Sequence, residues 1–267
     1  MTPDPARVAD YIRETAWLDI MPRFQALAAH EVIEKSPGDI VTIADREAEE
    51  RLTRMLTGLT PGTLVVGEEA THAHPELLDR LDDNVPMWII DPVDGTANFV
   101  AGRPLFAVMV AYLVNGLTVA AWIFDPVRDT MAIAERGSGT TLDGRPLHLP
   151  TPAAGDRYTG RVNFGSFPED RRPVLRKHFT ETFAIEKSLR CAGQEFLSLL
   201  YGTTQFRLYN RLWAWDHAPG VLLVREAGGH ADLVHDRPYR PTVRTQALLC
   251  AQDRDTWDNL YRQMQID

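Results

Sequence analysis

Apolar residues recur at Ala44, Ala48, Leu52, Met55 and Leu56, a spacing that lines one side of a helix and predicts an amphipathic element there. Thr42-Ile43-Ala44-Asp45 sets a hydroxyl and an acid at capping-box spacing just before it. The pattern then changes to short apolar runs. Thr63 to Val66 predicts a buried strand ending at Gly67-Glu68-Glu69, and Met87 to Ile90 a second ending at Asp91-Pro92-Val93-Asp94-Gly95-Thr96. Phe106 to Val114 and Leu117 to Phe124 flank Asn115-Gly116, the dipeptide that best tolerates the positive φ of a tight hairpin. Met131 to Ala134 continues the sheet into glycine-rich turns at Gly137, Gly139 and Asp143-Gly144. Farther on, Glu169 to Thr182 and Cys191 to Tyr201 predict helices, and Ala184 to Leu189 and Gln205 to Tyr209 predict extended segments. A last helix starts near Trp215-Asp216 and stops at Gly228-Gly229, where glycine suits a left-handed cap. Strand pairs followed by helices predict mixed α/β layers.

Pro150 to Asp156 is the softest boundary and divides the chain into an N-terminal α+β lobe, 1–150, and a C-terminal α/β lobe, 151–267. A chain of 267 residues that is 44% hydrophobic can bury a sizeable core. Its 28 basic and 37 acidic side chains leave a net charge of −9, so nothing suggests a basic footprint for nucleic acid or anionic lipid. Two cysteines, Cys191 and Cys250, are too few for a disulfide framework. With no signal-like N-terminus and no apolar run near the ~20 residues that span a bilayer, the expectation is a soluble, cytoplasmic protein. An acidic protein handling an anionic substrate needs local help from a basic pocket or bound cations.

Asp91 to Thr96 offers two carboxylates three residues apart, a glycine and a hydroxyl. Oxygen donors at that density suit a hard cation such as Mg²⁺, although an Asx-turn after a strand uses the same residues. Gly67-Glu68-Glu69 adds acids at the end of a neighbouring strand, where a solvated pair is the ordinary alternative. Trp213-Ala214-Trp215-Asp216-His217-Ala218-Pro219-Gly220 places an acid at a helix start, where a plain N-cap between core tryptophans is the alternative. Like charges converging on adjacent strand ends would push the sheet apart unless cations neutralised them. His72 and His74 lie in a polar loop beside Pro75 and are read as exposed. Gly137-Ser138-Gly139 lacks a P-loop ending, and no GxSxG elbow occurs.

Taken in order, Gly67-Glu68-Glu69, Asp91 through Phe99 and Trp215 through Gly220 resemble the signatures of the inositol monophosphatase family. The likeness extends to Lys35 through Asp45, Arg136-Gly137-Ser138-Gly139 with Asp143-Gly144, and Glu226-Ala227-Gly228-Gly229. It implies a layered αβαβα sandwich of the inositol monophosphatase and fructose-1,6-bisphosphatase type. It further implies Mg²⁺-dependent, lithium-sensitive hydrolysis of a small phosphomonoester with two to three Mg²⁺ ions per chain, and a homodimer. By resemblance, Glu68, Asp91 and the Val93 carbonyl hold one ion, and Asp91, Asp94 and Asp216 a second. Thr96, supported by Asp45, positions the attacking water with Glu68. The Gly95 and Thr96 amides hold the phosphate, Asp94 contributes to the substrate site, and Glu69 and Lys35 support the arrangement.

Substrate choice is where the pattern departs. Tyr209 stands seven positions before Asp216, where the family often has an acid, and Glu195 occupies the place of a small residue. Both are candidate substrate contacts; Glu195 could read a hydroxyl or an amine such as that of histidinol phosphate, and packing or capping roles are the alternatives. Inositol phosphates, histidinol phosphate, sugar bisphosphates and 3′-phosphoadenosine nucleotides are all substrates within the family. Two other classes stay open: a haloacid-dehalogenase-like phosphatase, which uses DxD where this chain has DxxD, and a silent binding or regulatory protein on the same fold.

Overall fold

The computed structural model describes residues 3–36, 39–152, 157–235 and 237–264. The first layer is helical. Helix α1 (Pro5–Thr15) is capped by the Asp4 side chain, which accepts from the Ala6 amide, and buries Val8, Ala9 and Ile12. It runs into one π-helical turn, Ala16–Ile20. A two-stranded ribbon, β1 (Val32–Ser36) and β2 (Asp39–Thr42), leads into α2 (Ile43–Leu59). Thr42 and Asp45 form the capping box at its start, and Ala44, Ala48, Leu52 and Leu56 are its buried stripe.

Seven strands follow, with two short helices between them: β3 (Leu64–Gly67), α3 (Glu68–Ala73), β4 (Met87–Asp94), α4 (Thr96–Val100), β5 (Ala107–Val114), β6 (Leu117–Asp125), β7 (Thr130–Glu135), β8 (Gly139–Leu142) and β9 (Arg145–Leu147). They form one sheet in sequence order, antiparallel except for the parallel pair β3 and β4. Every residue of β4 is buried, because the sheet is covered on both faces. Trp88 and Ile90 pack among the side chains of α1 and α2, whereas Met87 and Ile89 join a core on the opposite face. The β5–β6 hairpin turns at Asn115 (φ 52) and Gly116 (φ 70), the two positive φ values of a type I′ turn.

The remaining elements are β10 (Thr159–Val162), α5 (Arg172–Thr182), β11 (Ala184–Glu186), α6 (Ala192–Leu200), β12 (Phe206–Tyr209), α7 (Ala214–Glu226), β13 (His230–Leu233), β14 (Leu248–Ala251) and α8 (Arg254–Met264). The second sheet has the order β11-β10-β12-β14-β13. Helices α6 and α7 lie between the two sheets, and one apolar core joins Met109 and Ile123 of the first sheet to Leu222, Ala231 and Leu248. On the outer side of the second sheet, Phe179 of α5 and Trp257 of α8 close a further core with Phe206 and Leu249. The order is helix, sheet, helix, sheet, helix. At Gly220 of α7 a Cβ would meet the Phe196 ring at 2.1 Å, so glycine is what lets α6 and α7 pack this closely.

Several elements depart from the pattern read in the sequence. Helices α1 and α8, the ribbon β1–β2 and strands β10, β13 and β14 were not anticipated. The extended segment expected to reach Leu189 ends at Glu186, because Ser188 and Leu189 turn to donate hydrogen bonds to Glu195. Helix α5 begins at Arg172 rather than Glu169, after a turn closed on the Pro168 carbonyl. Among the described residues no helix is long and apolar enough to cross a membrane.

Candidate active site

Three elements bring acids together: the end of β4, the start of α3 and the start of α7. Pairing of β4 with β5 slips between Asp91 and Asp94. Asp91 Oδ1 accepts from the Val93 amide at 3.1 Å, so the Asx-turn and the acid cluster are one feature. Gly95 then takes φ +90, and a Cβ there would lie 2.9 Å from the Leu105 carbonyl and 3.0 Å from Cys191 Cβ. No other residue fits that turn without displacing backbone.

Asp91 is buried, and its carboxyl is pushed well above the usual range by desolvation and then by the charges of Glu68, Asp94, Asp216 and Asp45. Asp216, in the first turn of α7, is raised by burial and by Asp94, while a hydrogen bond with Asp91 and the charge of Arg211 act in the opposite direction. Asp94 is raised by burial, against hydrogen bonds from Cys191 Sγ (2.9 Å), the Gly193 amide (2.6 Å) and the Ala192 amide (3.1 Å). Those amides open α6, so Asp94 joins the first sheet to the middle layer. Among the described residues no three His, Cys, Asp or Glu side chains stand in a ready-made coordination cage.

Asp45 supports the opposite edge. It accepts from the Thr42 amide (2.8 Å) and hydroxyl (2.5 Å). The Thr96 hydroxyl lies 3.1 Å from both Asp45 Oδ1 and the Val93 carbonyl. A hydroxyl has one proton to give, so it serves one of them at a time and keeps lone pairs for another donor. Burial, opposed by the Thr42 hydrogen bonds, pushes Asp45 up to about 6.

The sequence reading missed Glu49. Its buried carboxylate accepts from the Glu69 and Ala70 amides at 2.8 and 2.7 Å, capping the helix that presents Glu68 and Glu69. A Cβ at Gly67 would come within 2.3 Å of Glu49 Cδ. A signal was available: Asp45 and Glu49 are one helical turn apart and flank the apolar stripe of α2, a place where solvated acids do not belong.

Beyond the acids opens a cavity of about 790 Å³, bordered by Glu68, Asp94, Glu195, Tyr209, Trp213 and Asp216 among others. Glu195 Oε1 accepts from the Ser188 hydroxyl and the Leu189 amide, and Oε2 forms a 2.5 Å ion pair with Arg207 Nε, both side chains almost wholly buried. The Arg207 guanidinium lies over the Tyr209 ring at 4.2 Å, close enough to act on its hydroxyl, although Tyr209 Oη makes no hydrogen bond of good geometry among the described residues. Trp213 and Trp215 stack as a parallel pair 5.1 Å apart; Trp215 belongs to the core between the sheets and Trp213 packs against it, as read in the sequence, and both also border the cavity. His72 is exposed at its rim, whereas His74 pairs with Glu76. The side chain of Lys35 lies outside the described residues.

The model of the inositol monophosphatase family matches residues 7–266. The chain belongs to that family. It is 35% identical over 206 residues to an inositol-1-monophosphatase of Mesorhizobium japonicum, covering 73% of this chain and 72% of the relative. To the Nus factor SuhB of Escherichia coli K12 it is 32% identical over 216 residues, 79% of this chain and 78% of the relative. Among solved structures, the SuhB protein of Bartonella henselae superposes with a TM-score of 0.80 at 25% identity, covering 97% and 96% of the two chains. An inositol monophosphatase of Thermotoga maritima gives 0.77 at 23% identity, covering 96% and 94%. The αβαβα layering is therefore the family fold.

Proposed function

We propose that the chain is a Mg²⁺-dependent phosphomonoesterase, in which Glu68, Asp91, the Val93 carbonyl, Asp94 and Asp216 hold two to three ions. The observation that carries this reading is the convergence of carboxylates, Asp91 and Asp94 buried and Glu68 and Asp216 partly so, in which neighbouring charges raise the affinity of Asp91 and Asp216 for protons. Such a set is stable as anions only beside cations, and an all-oxygen donor set fits a hard divalent ion. When bound, Mg²⁺ supplies charge neutralisation and activation of water at neutral pH.

The chain's own residues do the rest. Thr96 donates to Asp45 and accepts from the attacking water, with Glu68 on its other side. The Gly95 and Thr96 amides hold the phosphate, and Glu69 supports the loop. The leaving alcohol occupies the cavity bordered by Tyr209 and Glu195. Since Arg207 neutralises Glu195, that carboxylate has no free charge for an amine, which argues against histidinol phosphate and for a hydroxylated or anionic leaving group. No nucleophilic side chain is required, unlike the phosphoaspartate route.

Relatives carry two names, phosphatase and Nus factor, so the test must be activity itself. Phosphate release from a panel of phosphomonoesters, measured with Mg²⁺ and with EDTA, is expected to require Mg²⁺ and to fall with Li⁺. No release from any ester at saturating Mg²⁺ overturns the reading.

A further inference from the structure

Helix α7 carries Asp216 in its first turn, yet it begins without the usual cap. Its N-cap residue is Trp213, whose side chain makes no capping hydrogen bond. An indole has only an N–H to give and nothing to accept from the amides that a first turn leaves open. Farther along, Pro219 lies inside the helix. Proline has no N–H, so the carbonyl four residues earlier, that of Trp215, loses its helical donor. The turn that presents the last carboxylate is therefore uncapped on one side and short of a backbone bond on the other.

The residue after Asp216 compensates. His217 is buried, and its Nδ1 lies 2.9 Å from the Trp213 carbonyl and 3.2 Å from the Trp213 amide. A neutral ring nitrogen either donates or accepts, so Nδ1 serves the carbonyl in one tautomer and the amide in the other. Both tie the ring to the same backbone unit. The imidazole stands at 89° to the Tyr209 ring with centroids 4.5 Å apart, and at 82° to Phe196 with centroids 6.4 Å apart, contacts that fix its orientation. Its other nitrogen, Nε2, is buried and has no hydrogen-bond partner among the described residues. Burying an unpaired polar atom costs stability, and an apolar side chain of similar size would avoid that cost. What the imidazole supplies and an apolar group does not is the bond to Trp213.

We propose that His217 is a positioning residue, whose Nδ1 clamps the Trp213 backbone to the first turn of α7 and so fixes Asp216 and the indole that stacks on Trp215. The clamp stands on these contacts alone. Its consequence for metal binding rests on the phosphomonoesterase reading, in which Asp216 is a Mg²⁺ ligand. The contacts behind a ligand set its orientation, and their loss weakens metal binding even though they never touch the ion.

Two substitutions separate the two nitrogens of the ring. In His217→Asn a short amide stands where Nδ1 was and can still bond a backbone group one turn back. In His217→Gln the amide falls where Nε2 was. Amide hydrogen exchange across 214–217 in the metal-free protein reads the clamp directly; it is expected to be faster than wild type in His217→Gln and close to wild type in His217→Asn. Calorimetric titration with Mg²⁺ reads the consequence. The dissociation constant is expected to rise about tenfold or more in His217→Gln and to recover in His217→Asn. A side chain that merely fills space would not tell the two amides apart. The expected exchange with no Mg²⁺ bound by any of the three proteins supports the clamp and sinks the phosphomonoesterase reading alone. Exchange in His217→Gln that matches wild type, an unchanged Mg²⁺ affinity in that variant where wild type binds the ion, or equal losses in both variants overturns the inference.

Discussion

Asn in place of Asp45 isolates the energetic cost of one buried charge in the candidate site. The Asp45 carboxyl is raised from 3.8 to about 6, chiefly by burial. A raised pKa means that the folded chain binds the proton more tightly than the unfolded one. Its contribution to stability is therefore fully present below pH 3.8, declines as pH rises through about 6, and is absent above. Two units at about 1.36 kcal/mol each make that loss about 3 kcal/mol. Asparagine has no such transition. It also has one accepting oxygen where the carboxyl has two, so the contacts to Thr42 or to Thr96 lose an acceptor, a loss of about 1 kcal/mol per bond. Urea unfolding in EDTA at about pH 4 and about pH 7.5 should show Asp45→Asn less stable than wild type in acid, with the difference shrinking or reversing by about 3 kcal/mol at the higher pH. Asp91 and Asp216 titrate in both proteins and largely cancel. A difference in unfolding free energy that is the same at both pH values would refute the reasoning.

Four further variants probe neighbouring contacts. Asp94→Asn is expected to abolish turnover at saturating substrate while circular dichroism stays native; near-normal Mg²⁺-dependent phosphate release would remove Asp94 from the metal set. Gly67→Ala drives a methyl into Glu49 and loosens the cap of α3, so the Mg²⁺ concentration for half-maximal activity should rise, with about 1 kcal/mol of stability lost. Arg207→Met strands the Glu195 charge and should cost about 3–5 kcal/mol in thermal or urea unfolding, most of which Glu195→Gln in the same chain should restore. Tyr209→Phe removes a hydroxyl that makes no hydrogen bond of good geometry among the described residues and should leave the melting temperature nearly unchanged; a several-fold rise in KM would show that the hydroxyl meets substrate.

Features that depend on neighbours in sequence were legible; those that depend on distant partners were not. Asn115-Gly116 announced its hairpin because two positive φ values in a row admit few residue pairs, and the capping box announced α2 because both its members lie within one turn. Strands β13 and β14 have four residues each and are defined by partners elsewhere in the chain, so their short apolar runs carry no period of their own. In the candidate site, the order of Glu68, Asp91, Asp94 and Asp216 was visible because each acid stands in the last residues of a strand or in the first turn of a helix. The partner of Glu195 was invisible: Arg207 lies on a strand beyond the end of the helix that carries Glu195, and only tertiary packing decides that the two charges meet. Glu49 was legible in principle, as a buried-face acid, and was passed over because it belongs to no motif.

The helices between the sheets also set an order of events during synthesis. A chain that has emerged as far as β9 already contains Glu68, Asp91 and Asp94, but the sheet face to which Met109 and Ile123 belong has no cover until α6 and α7 follow. The nascent molecule therefore exposes an apolar sheet face, the kind of surface that chaperones bind. Asp216 lies in the first turn of the second covering helix. The segment that ends this vulnerability is the same one that delivers the last carboxylate, so closure of the core and completion of the acid cluster arrive together.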